Sequence, residues 1–222
     1  NTAQTMYVRA GFFTLPYGLL VEDHTSFIKE GRVELGARGF EEVGTGAKLF
    51  SVRYKDSGIE AGLSGRPWFL NLAVTSGVIG QEERTVPSQQ GGTKRAITRR
   101  GGFITKNLAL GLSMYTNDND VVDRRILRYG AFGWGRAGKF VLLFEHDEGE
   151  EEQFKVSGST QLTASYLELI YAGKFPGHDW NSYTKVRYER LDRNRSVDGD
   201  LLQRWVFSYK FVPLEYMSIE TF

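Results

Sequence analysis

The chain has 222 residues, a formal net charge of +1 and no cysteine. The lack of cysteine excludes disulfides, thiol catalysis and thiolate-bound metals, and the balanced charge gives no basic field of the kind that binds nucleic acid. The longest apolar runs, LPYGLLV at 15–21 and FVLLF at 140–144, are far shorter than the roughly 20 residues of a membrane-spanning helix.

Alternation of apolar and polar residues with a period of two predicts strands over most of the chain. Only VEDHTSFIKEGR at 21–32 has a pattern that fits a short helix. In 107–116 the apolar residues lie on one face, whereas in 179–192 charged residues occupy mid-strand positions on the other face. We predict strands at 5–14, 47–56, 59–77, 95–105, 107–116, 124–136, 139–147, 160–174, 179–192, 201–212 and 214–222.

The predicted connections alternate between long and tight. Long or polar segments follow residues 14, 77, 116, 147 and 192, and tight turns follow residues 56, 105, 136 and 174. This regularity predicts that 59–77 is one long strand, in which Gly65-Arg66-Pro67 forms a β-bulge where the apolar positions change from odd to even numbers. A true hairpin turn at 65–67 would break the alternation.

A soluble β-sandwich and an outer-membrane barrel both alternate in this way, but three features favour the barrel. The predicted strands are longer than the usual 5 or 6 residues, the connections are unequal on the two sides, and aromatic residues fall near strand ends. We therefore predict an all-β, antiparallel up-and-down transmembrane β-barrel with 11–12 visible strands. It forms a single domain over 1–222, and the loop 15–46 inserts into the lumen or its mouth. The aromatic residues concerned are Trp68, Phe103, Tyr115, Phe140, Phe175, Trp180, Trp205 and Phe211.

The segment YVRAGFFTLPYGLLVEDHTSF at 7–27 is similar to Gram-negative porin-type barrels, particularly the phosphate-selective-porin-like group, where a strand of the form GxFxxPFG is common. The resemblance implies an outer-membrane channel for passive diffusion of small solutes. Members of that group resemble barrels of sixteen or more strands, so the smaller number here suggests a partial chain. Ser218 and Glu220 interrupt the apolar alternation near the end, which agrees with that expectation. The matching residues are Gly11, Phe13, Pro16, Tyr17 and Gly18.

On the barrel interpretation, a set of cations faces the lumen together with Glu60, Glu168 and Glu189. An unpaired basic wall would favour anions, whereas a network of neutralised charges would not, and the sequence leaves both open. If the hairpin of the strands predicted at 179–192 and 201–212 closes about Asp198-Gly199 with Lys185 opposite Lys210, then Arg187 opposes Ser208 and Glu189 lies near Arg204. The predicted lumen-facing residues are Arg9, Arg53, Lys55, Lys185, Arg187, Arg204 and Lys210.

No catalytic motif is present, so we predict neither an enzyme nor a metal or cofactor site. EDHTS at 22–26 and the acidic run EHDEGEEEQF at 145–154 are interpreted as polar loops rather than as a base or a cation site. The glycines of GAFGWGRAG at 130–138 are interpreted as relieving crowding or permitting sheet bending.

The expected partners are outer-membrane lipid, lipopolysaccharide and small solutes, together with a second copy or a periplasmic protein. Two other classes of protein stay open. One is a barrel that encloses an electron-transfer partner, whose haem would belong to the partner because this chain has no C-x-x-C-H site. The other is a soluble all-β binding protein or a glycosidase-like enzyme, which would need paired inward carboxylates.

Overall fold

The computed structural model describes residues 4–19, 55–65, 67–77, 94–119, 124–153, 159–192, 194–199, 201–214 and 217–221. These residues form one antiparallel sheet of eleven strands, in which each strand pairs with its neighbours in sequence. The strands are β1 Thr5–Thr14, β2 Lys55–Gly65, β3 Trp68–Thr75, β4 Lys94–Ile104, β5 Leu108–Asn119, β6 Arg124–Ala137, β7 Phe140–Gln153, β8 Ser159–Lys174, β9 Asn181–Asp192, β10 Leu201–Leu214 and β11 Met217–Thr221.

The all-β antiparallel class is confirmed. β1 and β11 are the two edges of the sheet, and within the described ranges they do not pair with each other, so closure into a barrel stays a prediction. The segments predicted as a helix at 21–32 and as the first part of a strand at 47–56 lie outside the described residues. None of the described residues belongs to a helix that is long and apolar enough to cross a membrane.

The prediction of one strand over 59–77 is wrong. β2 and β3 are separate strands that pair with Gly65 opposite Trp68, so the connection between them is only two residues long. A two-residue connection places odd-numbered residues opposite even-numbered ones, as in Leu63 opposite Leu70, which explains the change of phase without a bulge. Asp56–Gly58, predicted as a tight turn, lies within β2. The alternation of long and tight connections therefore continues through this hairpin.

The described part of the acidic run, residues 145–153, belongs to a strand rather than to a loop. β7 extends to Gln153, and its acidic half pairs with the arginine-rich start of β6, with Arg125 opposite Glu152 and Tyr129 opposite Glu148. The polar segment thus remains in the sheet through its backbone pairing with β6. β5 likewise extends to Asn119, beyond the predicted end at residue 116.

The two faces of the sheet differ sharply in chemistry and exposure. Many large hydrophobic side chains on the apolar face are at least 39% exposed, whereas many charged and hydroxyl side chains on the polar face are at most 7% exposed. The apolar face comprises Met6, Val8, Phe12, Ile59, Leu63, Leu70, Leu72, Val74, Leu108, Leu110, Leu112, Leu142, Leu167, Leu169, Trp205 and Phe207. The buried residues of the polar face include Asp56, Glu60, Thr98, Ser113, Arg128, Glu145, Asp147, Glu168, Arg187, Glu189 and Ser208.

The exposed apolar band runs diagonally across the sheet. The row of directly opposite residues that begins at Val8 on β1 reaches Leu201 on β10. The most exposed aromatic residues of β10 are Trp205 and Phe207, four and six positions further along the strand. At ~3.3 Å per residue, six positions along β10 correspond to about 20 Å. At ~4.8 Å between neighbouring strands, β10 lies about 43 Å from β1, so the apolar band is inclined by roughly 25° to the row of directly opposite residues.

Aromatic side chains gather near the tight turns. Trp68 lies opposite Phe103, and the rings of Phe140 and Tyr171 are 5.2 Å apart. A second cluster forms at the β8–β9 turn, where Phe175 is 5.2 Å from Phe211 and Trp180 stacks on the same ring at 6.1 Å. Tyr115 was predicted to join the strand-end aromatics, but it points to the polar face and is only 1% exposed.

Candidate functional site on the polar face

Several buried ionisable groups on the polar face lie close to groups of opposite charge. This is the arrangement expected of buried charges, because an isolated ion loses its hydration without compensation. Two such clusters are separated along the sheet, one on β1–β3 and one on β8–β10.

The β8–β10 cluster is centred on Arg187, which is fully buried. Its Nε lies 2.7 Å from Glu168 Oε2 on β8, and its Nη1 lies 3.3 Å from Glu189 Oε1 two residues along β9. Arg204 on β10 is directly opposite Glu189 and donates to Glu189 Oε2. Two guanidinium groups and two carboxylates thus alternate across three strands, and their charges cancel.

The β1–β3 cluster is centred on Glu60 of β2. Arg9 lies directly opposite and its Nε donates to Glu60 Oε2 at 3.0 Å, while the Tyr7 hydroxyl donates to Glu60 Oε1. Asn71 on β3 donates to the Tyr7 hydroxyl at 2.7 Å. Gly62 makes this arrangement possible, because a Cβ at that position would overlap the Tyr7 ring.

Among the predicted lumen-facing cations, the structure brings Arg187 and Arg204 together and places Arg9 in the other cluster. The register expected for the β9–β10 hairpin, with Lys185 opposite Lys210, is wrong by two residues. Lys185 faces Ser208, Lys210 faces Tyr183 and Arg187 faces Val206, so the two lysines are not opposite one another. The expected proximity of Glu189 to Arg204 is confirmed.

Two of the predicted cations cannot be assigned to a cluster. Arg53 lies outside the described residues. Lys55 begins β2 opposite Thr14, and only its backbone position is described.

A short segment after β1 lies against the polar face. Leu15, Tyr17 and Leu19 are buried and pack with side chains from β4 to β9. The Tyr17 hydroxyl donates to Asp147 Oδ1 at 3.0 Å, and the Leu19 amide donates to Glu145 Oε2 at 3.2 Å. The part of the predicted loop 15–46 that follows residue 19 lies outside the described residues, so its insertion as a whole stays a prediction.

Gly18 anchors the middle of this segment, hereafter the 15–19 segment. Its amide donates to Ser113 Oγ at 2.8 Å and its carbonyl accepts from Arg100 Nε at 2.9 Å. Its φ of +61° is in the left-handed region, and a Cβ there would overlap the carboxylate of Glu145. A glycine is therefore needed both for the backbone turn and for the approach to the sheet.

Arg100 also forms the centre of an aromatic cluster. Its guanidinium lies 4.6 Å from the centroid of Phe69 and 4.7 Å from that of Phe132, and the two rings are 6.4 Å apart. Such cation–π contacts hold an arginine in place even where it is largely desolvated.

Two glycines lie beneath those rings. Phe69, Gly102, Gly111 and Phe132 are directly opposite one another on β3, β4, β5 and β6. A Cβ at Gly102 would be 2.9 Å from Phe69 Cζ, and one at Gly111 would overlap the Phe132 ring. The glycines therefore make room for the large side chains of neighbouring strands.

Sequence reasoning missed several residues that organise this face. Arg100 and Arg128 were not singled out, and Glu145 and Asp147 were assigned to a solvated loop, although both are buried. The period-two pattern could have indicated the burial of Arg128 on β6 and of Glu145 and Asp147 on β7, since each alternates in step with the buried residues of its strand. The interpretation of the 130–138 glycines as relieving crowding agrees with the structure at Gly130 and Gly133, where a Cβ at Gly133 would be 2.6 Å from the Ala109 carbonyl oxygen. It does not agree at Gly135 and Gly138, where a Cβ would have no atom nearer than 3.8 Å.

Within the part of the chain that the structure describes, no group of three or more histidine or acidic side chains is arranged to hold a metal ion. Of the three histidines, His146 and His178 are described, whereas His24 and the EDHTS segment lie outside the described residues. His178 stacks on Trp180 at 4.3 Å in the aromatic cluster of the β8–β9 turn.

Comparison with known proteins found no match: no family model, no curated protein and no solved structure is detectably similar to this chain.

Proposed function

We propose that this sheet is part of the wall of a transmembrane β-barrel in a bacterial outer membrane, which acts as a porin-like channel for passive diffusion of small solutes. The apolar face would contact lipid, and the polar face would line a lumen narrowed by the 15–19 segment. No covalent chemistry is involved.

The inverted exposure of the two faces is the observation that supports this proposal. Leu112 is 68% exposed and Trp205 is 63% exposed, while Arg128, Arg187 and Glu189 have no exposed surface. In water this arrangement would leave a contiguous apolar surface far larger than monomeric soluble proteins tolerate. Lipid provides the apolar surroundings that these side chains require, and a sheet can enter lipid when its backbone hydrogen bonds are satisfied between strands.

The diagonal course of the apolar band gives further support. Strands of membrane barrels are tilted by about 35–45° from the barrel axis, so residues at one depth shift steadily along the sheet. The angle of roughly 25° estimated for the band is of the same order as that range. The aromatic residues beside the tight turns fit the interfacial position that Trp and Tyr prefer in membranes.

The pairing of charges on the polar face favours weak charge selectivity over a strong preference for anions. Arg9, Arg187 and Arg204 each contact a carboxylate, so their fields are largely cancelled at short range. We therefore expect a neutralised lumen rather than a basic wall.

Reconstitution of the purified chain into planar lipid bilayers tests the proposal. We expect stepwise conductance with weak ion selectivity, and a shift towards anions in the variant Glu60→Gln, which removes the carboxylate beside Arg9. The matched control Gln161→Glu changes an exposed residue of β8 and should leave selectivity unchanged. A folded, inserted protein without conductance would contradict the channel and favour a barrel that encloses a partner. Solubility of the folded chain without detergent would contradict membrane insertion altogether.

A further inference from the structure

Several exposed arginines share the phase of the apolar residues, and one of them lies between apolar residues on both neighbouring strands. Arg99 on β4 lies directly opposite Leu72 on β3 and Met114 on β5, and its side chain is exposed. Among the described residues, the polar contact of its guanidinium is with the Met114 sulfur at 3.6 Å, a weak acceptor. A cation in this position has little protein-derived compensation for its charge.

Arg99 borders a surface groove of about 700 Å³ that crosses β3 to β7. Leu70, Leu112 and Met114 supply its apolar lining at the Arg99 side, and Tyr129, His146 and Glu148 lie at the other side. The groove therefore extends from the apolar band towards the end of the sheet where the long connections lie and where its lining is polar.

The single carboxylate of the groove is already engaged. Glu148 accepts a hydrogen bond from the Tyr129 hydroxyl at 2.7 Å and lies 3.5 Å from His146 Nε2. Arg195, from the connection after β9, approaches the same carboxylate at 3.9 Å. Because Glu148 is engaged at the far side of the groove, it does not neutralise Arg99, and the apolar side of the groove carries a positive charge.

We propose that this groove binds a membrane lipid with an anionic phosphate headgroup, which pairs with Arg99 while an acyl chain lies along Leu70 and Leu112. The inference rests on the membrane insertion proposed above. A charged side chain on a lipid-facing surface is costly, and the cost falls when it lies near the interface and meets an opposite charge. A guanidinium matches phosphate oxygens in geometry as well as in charge. The adjoining leucines explain why a lipid fits the groove better than free phosphate does.

The test uses the full chain inserted into vesicles that contain equal amounts of phosphatidylglycerol and phosphatidylcholine. Lipids that remain bound after gentle extraction are counted by native mass spectrometry. We expect a preference of about five-fold for phosphatidylglycerol in the wild-type protein, lost in Arg99→Gln and retained in Arg99→Lys. Arg136→Gln is the matched control, because Arg136 is an exposed arginine beside the tight β6–β7 turn.

Insertion of the wild-type protein without a preference for the anionic lipid would overturn the lipid site and leave the channel proposal intact. An equal loss of preference in Arg99→Gln and Arg136→Gln would also overturn it, since the effect would then follow overall charge. Failure of the wild-type protein to enter vesicles would overturn both proposals. Inorganic phosphate that competes fully with phosphatidylglycerol would assign the site to a soluble anion and so contradict a lipid occupant.

Discussion

The two faces of β5 show how the same strand serves opposite environments. Leu108, Leu110 and Leu112 are exposed, whereas Ser113 and Tyr115, on the other face, are buried. In a water-soluble sheet the leucines would lie inside. On this sheet large hydrophobic side chains of one face are exposed, whereas the other face buries charged side chains together with a hydrophobic cluster. This arrangement is expected when the exposed face contacts lipid and the buried face is closed by its own side chains.

The largest expected effect concerns the buried side of this comparison. Replacing Arg187 with Met leaves Glu168 and Glu189 buried without their shared cation, which should lower the free energy of unfolding by about 3–5 kcal/mol. Denaturant unfolding of the protein in lipid vesicles measures the change. The double variant Arg187→Met, Glu168→Gln should recover most of the loss, because one cation and one carboxylate are neutralised together and Glu189 keeps its contact with Arg204. A loss of less than 1 kcal/mol in the single variant would contradict a tightly coupled network.

The second prediction concerns the exposed side. Leu112→Arg places a charge in the middle of the apolar band and should destabilise the inserted protein by about 2–4 kcal/mol. Leu112→Phe keeps the side chain apolar and serves as the control. In a water-soluble protein the arginine at this exposed position would be nearly neutral and would improve solubility. Vesicle insertion and unfolding of the three proteins therefore distinguish the two environments directly.

The sequence predicted the strand class and the chemistry of each face, because alternation with period two depends only on neighbouring residues. It did not predict the 66–67 hairpin, since a two-residue turn and a bulge produce the same change of phase between Leu63 and Leu70. It also misjudged the acidic part of β7, which remains in the sheet through pairing with β6. The register between two strands depends on both segments, so it cannot be predicted from the residue pattern of either segment alone.

The polar-face clusters were predicted only in part for the same reason. The proximity of Glu189 to Arg204 was recognised from spacing within one hairpin, whereas the contact of Arg100 with Gly18 joins residues 82 positions apart. The need for glycine opposite Phe69 and Phe132 is apparent only from the row of directly opposite residues that crosses four strands. Such rows become visible only after the register is known.

The third prediction sharpens the role of that glycine row. Gly111→Ala introduces a methyl group where the Phe132 ring and the Gly101 carbonyl oxygen approach closely, and should cost about 1–3 kcal/mol of unfolding free energy. Gly135→Ala is the matched control on the neighbouring strand, because its nearest atom would be 3.8 Å away. Phe132→Leu should partly rescue Gly111→Ala by removing the ring. Equal effects of the two glycine substitutions would refute the packing explanation.

The smallest expected effect concerns the 15–19 segment, where the polar face meets a part of the chain outside the strands. Tyr17→Phe removes the hydrogen bond to Asp147 and should cost about 1 kcal/mol. If the segment narrows a lumen, the variant should also show more frequent fluctuations to higher conductance. Ser196→Ala, in the exposed connection after β9, should change neither property.

The pH dependence of this variant provides a second measurement. Burial, followed by the nearby Asp147 carboxylate, raises the pKa of Tyr17 well above its ordinary value of 10.0. In the unfolded chain Tyr17 ionises above about pH 10, whereas in the folded protein its hydroxyl stays protonated, so the stability contributed by this group is lost as the pH rises above 10. The wild-type protein should therefore lose more unfolding free energy than Tyr17→Phe between pH 9.5 and 11. Parallel curves would show that Tyr17 is accessible to solvent and that the segment leaves the polar face in solution.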